Sequence, residues 1–390
     1  MQALPHELSL GTRRDEKARA AFVRQLRRHV MNDLAVGLES DFRRHVEPQL
    51  APRADIHAAM RGRLPFQFYS ALRTSSQDLL YQIARPVIER EVERLQGIAK
   101  RLEKRKAKLG SLQLDPHLEV PRSVSAIDIH LMPGSYHTEY CDDDLTMGAV
   151  YENRLAVSTF GLFGPNLDDI GRSIAMFVKE KIKDLRPMRI LDLGCTVGHN
   201  TGAWKDVFPK AEVHGIDVAA AGLRYGRARA LSQSRAIHFK QMDAAALAYP
   251  DAHFDVVFSS MFLHEVPARV IPKVMAEAYR VLRPGGLMLH MELPPADQLS
   301  PWESFYLDWD GHYNNEPFYR SFRAQHLQDV VAAAGFSPAR YLQHVVPSIN
   351  ALGETAWRAA LADEQAVDSA KTGRLASGIR WFCFGARKDP

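Results

Sequence analysis

Apolar positions in the first part of the chain fall at helical spacing. Residues 15–110 carry few strand signals, and from Ser75 onward Leu80, Ile83, Val87, Val92, Leu95, Ile98 and Leu102 recur at steps of three, four or five. A cationic last turn (Lys104, Arg105, Lys106, Lys108) and Gly110 supply a stop. The spacing predicts one long amphipathic helix, bent near Pro86. Between Ser111 and Pro165 the texture changes to short β-type runs, "SAIDIHLMPGSYHTEY" and "GAVYENRLAVSTFGLFGP", punctuated by Gly and Pro. A connector or lid is expected there. From Asn166 helices and apolar strands alternate: helix 166–185, strand 189–193, helix 199–208, strand 211–216, helix 219–233, strands 236–241 and 254–260, helix 267–281, strand 286–292. Apolar strands separated by helices imply a parallel sheet covered on both faces, an α/β doubly wound fold. A helix over 320–334, strand-like stretches at 338–346 and 378–386, and an extra helix within 347–377 follow. The expected division is a helical N-terminal domain (1–110), a connector (111–165) and a ligand-binding domain (166–390).

Composition narrows the class. The chain has 390 residues, 46% of them hydrophobic, enough for a sizeable core. Its apolar runs fall short of the roughly 18 to 20 residues that cross a bilayer, and its first residues lack a signal-type apolar core, so no membrane span and a cytoplasmic location are expected. Three cysteines (Cys141, Cys195, Cys383) lie far apart without metal or disulfide spacing; reduced thiols and no metal site are expected. Residues 1–110 hold 22 Lys and Arg against 13 Asp and Glu, a net +9 within a whole-chain +4, which leaves the remainder at −5. A solvated helix face, its apolar stripe packed on the rest of the chain or in a homodimer, accounts for this basicity; a nucleic-acid or membrane surface is the alternative.

The stretch "RILDLGCTVGHNTG", residues 189–202, carries the chemistry. An apolar strand ends in Asp192, glycines follow at 194 and 198, and a helix starts at His199. In an open parallel sheet, ligands bind beyond the carboxyl ends of the strands at such a turn. A dinucleotide fingerprint needs glycine at 194, 196 and 199, but 196 is Thr and 199 is His, and no GKS or GKT follows for a phosphate loop.

Asp192-Leu193-Gly194-Cys195-Thr196-Val197-Gly198 resembles the first motif of the class I S-adenosylmethionine-dependent methyltransferases, in particular the small-molecule branch with the ubiquinone and menaquinone methyltransferases. The family's middle glycine is Thr196 here. Further landmarks follow in order: "AEVHGID" ending in Asp217, "IHFKQMDA" ending around Asp243, "FDVVFSSMFLHE" and "VLRPGGLMLHMEL". The resemblance covers roughly residues 130–390. It implies a Rossmann-like seven-stranded sheet closed by an antiparallel pair (338–346 and 378–386), S-adenosylmethionine as cofactor, and a small-molecule substrate. The cofactor set it implies is Asp192, Gly194, Cys195, Gly198, Asn200, Asp217, Val218, Met242, Asp243, Ala244 and Ser259. Asp217 would hold the ribose hydroxyls and Asp243 the adenine amino group, between Met242 and Ala244. In "PGSYHTEY", residues 133–140, Tyr136 or Tyr140 would face the sulfonium or its carboxylate, ordinary tyrosine packing being the alternative.

Methyl transfer from a sulfonium is an in-line displacement, and a base is needed only if the acceptor must lose a proton. Candidate catalytic residues are His264 and Glu265 after strand 254–260 and Glu292 at the end of strand 286–292; His264 as a loop-shaping residue is the structural alternative. The insertion 294–320 is dense in aromatic and polar side chains, and Trp302, Tyr306, Trp309, Asp310, His312, Tyr313 and Asn314 are its candidate substrate contacts, an aromatic minicore under a loop being the alternative. Competing functions are an RNA or protein methyltransferase gripping a polyanion with the basic helices, and a non-catalytic methyltransferase-like binding protein. Against the first, Ser259-Ser260-Met261-Phe262 stands where base-targeting relatives carry an Asn/Asp-Pro-Pro-aromatic motif.

Overall fold

The computed structural model describes residues 4–50, 55–362 and 380–390. Eight strands form one sheet: β1 Gly110–Gln113, β2 Arg189–Leu193, β3 Glu212–Asp217, β4 Ile237–Gln241, β5 Phe254–Ser260, β6 Leu282–Glu292, β7 Tyr341–Pro347 and β8 Arg380–Arg387. Their order is β1-β4-β3-β2-β5-β6-β8-β7. All pairings are parallel up to β6, and β8 runs antiparallel between β6 and β7. The seven expected strands are present, and β1 extends the sheet at one edge. Gly110, read as a helix stop, has φ +75°, and a Cβ there would sit 2.0 Å from the Ile237 carbonyl oxygen. A side chain would push β1 off its neighbour.

The chain runs outward from β2 through β3 and β4, then returns to start again at β5. The crevice between β2 and β5 is therefore the topological switch point where such sheets bind ligands. Alternation along the strands sends Leu191, Leu193 and Val257 to one apolar layer and Ile190, Val256 and Phe258 to the other. Both faces are covered, as the unbroken apolar runs require.

A helical layer roofs the crevice. The long helix begins at Leu64 rather than Ser75 and runs through Pro86 to Lys106. It packs Tyr81, Ile88, Leu95 and Leu102 against the helices Thr146–Ser158 and Ala220–Ser232. Before it, helix Arg14–Arg28 passes through a π-turn, His29–Leu34, into helix Ala35–His45.

Several local expectations change. "GAVYENRLAVS" is helical, because Val150 and Val157 are buried between the long helix and its neighbours, a tertiary environment that overrides strand propensity. The helix expected at 320–334 splits into Tyr319–Arg323 and Leu327–Ala333 around the buried Arg323, which donates to the Pro294 and Ser304 carbonyls. Within 347–377 there are two short helices, Ile349–Leu352 and Glu354–Ala362; the rest of that expected helix, and the first two residues of the strand expected at 378, lie outside the described residues.

Trp302, Tyr306 and Trp309, on helix Pro301–Tyr313, are buried with Phe42, Met60, Phe66 and Tyr69 of the N-terminal helices. The Trp309 ring lies 4.9 Å from that of Tyr69, tilted by 36°, and its Nε1 donates to Ser70 Oγ at 3.1 Å. This aromatic core fastens the helical layer to the sheet domain. Trp309→Ala is expected to cost about 3–5 kcal/mol in urea denaturation, whereas Phe68→Ala, at a side chain 59% exposed, should stay within about 0.5 kcal/mol.

Candidate active site

The floor of the crevice is the loop from β2 into helix His199–Val207. Gly194 and Gly198 have φ of +69° and +73°. A Cβ on Gly194 would lie 2.3 Å from the Phe262 ring, and one on Gly198 would lie 2.8 Å from the Phe239 ring. Both glycines therefore answer to the protein's own aromatic rings as well as to turn geometry. Thr196 also takes a positive φ, +49°, which costs a β-branched residue free energy. Its amide donates to Asp217 Oδ2 at 2.9 Å, while the Ala219 amide donates to Oδ1 at 2.9 Å. Asp217 thus ties the β2 loop to the tip of β3.

Burial governs the acids here. Asp192 is 2% exposed, accepts from Thr201 Oγ1 at 2.6 Å, and is pushed by burial, with the Asp217 charge adding to it, up to a pKa of about 8. Burial raises Asp217 to about 6. Asp243 accepts from the Ala245 amide at 2.8 Å, a turn-forming bond. Asn200 Oδ1 accepts from the Gly171 amide at 2.9 Å and so anchors the neighbouring helix.

A cavity of about 500 Å³ extends from this floor beneath the helical roof, within the range of small-molecule sites. Of the expected cofactor residues, Asp192, Gly194, Cys195, Asn200, Asp217, Val218, Met242, Asp243, Ala244 and Tyr136 line it. Gly198 and Ser259 do not: Gly198 caps the helix behind the loop, and Ser259 is buried against His290 Nδ1 at 2.8 Å.

The other end holds a charged constellation. Glu292, 3% exposed, accepts from the Phe262 and Leu263 amides at 2.8 and 2.6 Å and from His264 Nδ1 at 2.6 Å. It lies behind the wall, while His264 and Glu265 line the cavity. Burial would lower the His264 pKa, but Glu292, Glu316 and Glu265 outweigh it and lift it to about 9. His130 bridges Glu265 at 3.1 Å and Glu316 at 3.0 Å, and Tyr136 donates to Glu265 at 2.8 Å. Burial would raise Glu316, yet His130 and His264 bring it down to about 2.

Of the expected substrate contacts, Asp310 and Asn314 reach the cavity; Trp302, Tyr306, Trp309, His312 and Tyr313 are not on its wall. The segment read as a substrate wall is mostly the aromatic fastener described above. Several lining residues come from segments with no motif: Tyr151 and Arg154 on helix Thr146–Ser158, Arg73 on the long helix, Arg27 and His130; Glu316 comes from the expected insertion but is not among its candidate contacts. Spaced arginines on amphipathic helices read as a solvated face, and only the packing shows them turned inward.

A carboxylate-tipped glycine loop at the switch point, an apolar slot beside it and a roofed polar cavity define a doubly wound enzyme for a nucleoside-bearing cofactor. Residues 190–286 match the methyltransferase domain family. The chain is 31% identical over 197 residues to 2-phytyl-1,4-naphtoquinone methyltransferase of Synechococcus elongatus, covering 49% of this chain and 76% of that protein. It is 37% identical over 109 residues to demethylmenaquinone methyltransferase of Thermus thermophilus (28% and 49%) and 35% identical over 128 residues to malonyl-[acyl-carrier protein] O-methyltransferase of Halorhodospira halophila (32% and 42%). The match spans about half the length of these last two relatives. The chain belongs to the class I S-adenosylmethionine-dependent methyltransferases.

Asp192 supplies a pH test of the site. Its folded pKa, about 8, stands above the ordinary carboxylate value, so its neutral form favours the folded state. The stability it contributes is present below about pH 4 and is lost as pH rises through about 8. Asp192→Asn should therefore gain in melting temperature relative to the native chain as pH goes from 5 to 8; a constant difference would contradict the burial of this acid.

Proposed function

We propose that the protein transfers the methyl group of S-adenosylmethionine to a small, partly apolar molecule. The observation that carries this assignment is the single cavity that joins Asp217, Met242 and Ala244 at one end to His264 and Glu265 at the other. Asp217 would accept from the ribose hydroxyls, and Met242 and Ala244 would wall the adenine, with Asp243 beside its amino group. Arg154, whose guanidinium lies 5.3 Å over the Tyr151 ring, would meet the cofactor's carboxylate. Bound there, the cofactor supplies the electrophilic methyl group. The three relatives are named as quinone and acyl methyltransferases, which supports a partly apolar acceptor. Three unpaired cysteines suit a reducing compartment, and we place the enzyme in the cytoplasm.

The chain's own part is alignment, water exclusion and charge. Well-aligned reactants can gain roughly 7–11 kcal/mol from proximity alone, and Tyr136 and Tyr151 on the cavity wall help to keep water from the reacting atoms. His264, held by Glu292 and lifted to a pKa of about 9, is an imidazolium at neutral pH. An already protonated group cannot take the acceptor's proton; it donates a charge-assisted hydrogen bond and favours an acceptor oxygen that carries negative charge.

Two measurements test this reading. Isothermal titration with S-adenosylmethionine should give saturable binding to the native chain, weakened roughly 10- to 100-fold in Asp217→Ala, the worth of one or two charge-assisted bonds; no binding to the native chain contradicts the assignment. Once a substrate is in hand, kcat/KM should fall as pH rises through about 9, and in Glu292→Gln the fall should move toward the ordinary histidine value near 6.5. A rate that instead climbs through that range makes His264 a base.

A further inference from the structure

Arg27 is 3% exposed, yet its Nε and Nη1 have no hydrogen-bond partner among the described residues; Nη2 reaches only Met31 Sδ, at 3.7 Å. It lines the cavity, as does Met31. The π-turn at His29–Leu34 begins two residues after it, and such turns commonly mark functional sites because they break the regular facing of a helix. A buried guanidinium without a partner is among the costliest groups a fold can carry, so it persists where something outside the fold completes it.

The charges around it define what that partner is. Arg73 is engaged by Asp310 at 2.8 Å, His264 by Glu292, and His130 by Glu265 and Glu316. Arg154 faces the same space, and its Nε also has no partner among the described residues. Arg27 and Arg154 thus have no carboxylate partner among the described residues, and with Arg154 given to the cofactor's carboxylate one unanswered positive charge, that of Arg27, is left for the acceptor. Apolar side chains, Leu155, Phe163, Leu167, Ile170 and Leu307, make up much of the remaining wall. One excess charge beside an apolar chamber fits a monoanion with a hydrocarbon body better than a phosphate dianion.

We propose that the acceptor carries a carboxylate on an apolar body and that the Arg27 guanidinium binds this carboxylate, a substrate-recognition site contributed by the N-terminal helical layer. It rests on the methyltransferase reading, with Arg154 serving the cofactor and Arg27 the acceptor. The guanidinium fork matches a carboxylate in two parallel bonds, which supplies both charge and direction. An acceptor so anchored enters with its other end toward His264.

The test is thermal unfolding of the full chain saturated with S-adenosylhomocysteine and titrated with octanoate and benzoate, against octanamide, benzamide and inorganic phosphate. The carboxylates should raise the melting temperature and the amides and phosphate should not. Arg27→Gln should keep the response to S-adenosylhomocysteine and bind the carboxylates roughly 10- to 100-fold more weakly. Arg27→Lys, which keeps the charge but not the fork, should fall between and serves as the second variant. Amides or phosphate that stabilise as well as carboxylates, or carboxylate binding that survives in Arg27→Gln, would overturn the inference. So would loss of the S-adenosylhomocysteine response in Arg27→Gln, which would put the cofactor's own carboxylate on Arg27. A native chain with no response to S-adenosylhomocysteine would instead sink the methyltransferase reading, a failure distinct from these.

Discussion

The bond from the Thr196 amide to the Asp217 carboxylate, at 2.9 Å, joins the loop after one strand to the tip of the next. It closes the floor of the cavity. Asp217 also accepts from Ala219, so a single buried carboxylate sets both the loop and the start of the following helix. The loop needs such a tether because Thr196 holds a left-handed backbone where a glycine would rest without strain. The aromatic rings of Phe262 and Phe239 press on Gly194 and Gly198 from the other side. Loop, strand tips and rings thus pack into one floor.

Above the floor, buried charge decides the architecture. The long helix brings Arg73, the segment before Tyr136 brings His130 and the loop after β5 brings His264 into a space where burial alone would strip them of charge, and each of these three is answered by a carboxylate: Asp310 for Arg73, Glu292 for His264, Glu316 and Glu265 for His130. Pairs that bridge two layers register one on the other, and the aromatic cluster of Trp302, Tyr306 and Trp309 with Tyr69 and Phe66 supplies the apolar area that holds them together. Arg27 stands outside this pairing.

Much of this was legible in residue order. Parallel strands buried on both faces read as apolar runs, so β2, β5 and the second half of β6 stand out, and the acids Asp192, Asp217 and Asp243 fall at or beside the strand tips where a ligand can be met. What was not legible depends on contacts far apart in the chain. Val150, Leu155 and Val157 read as strand because their periodicity is masked by burial on several sides. The edge strand β1 depends on Gly110 meeting Ile237. Arg27 and Arg154 look like solvent-facing helix residues, and the aromatics of 301–313 looked like pocket walls, because periodicity says which residues share a face but not what that face meets.

The central claim is spatial: one cavity holds an adenosyl sulfonium with its sulfur directed at the His264 end. Crystals grown with S-adenosylhomocysteine measure that directly. The account predicts ribose hydroxyls within hydrogen-bond distance of Asp217, adenine between Met242 and Ala244, and sulfur opening toward His264 and Glu265. Ligand density elsewhere, or with adenine lodged among Arg27, Arg73 and Leu155, would contradict it.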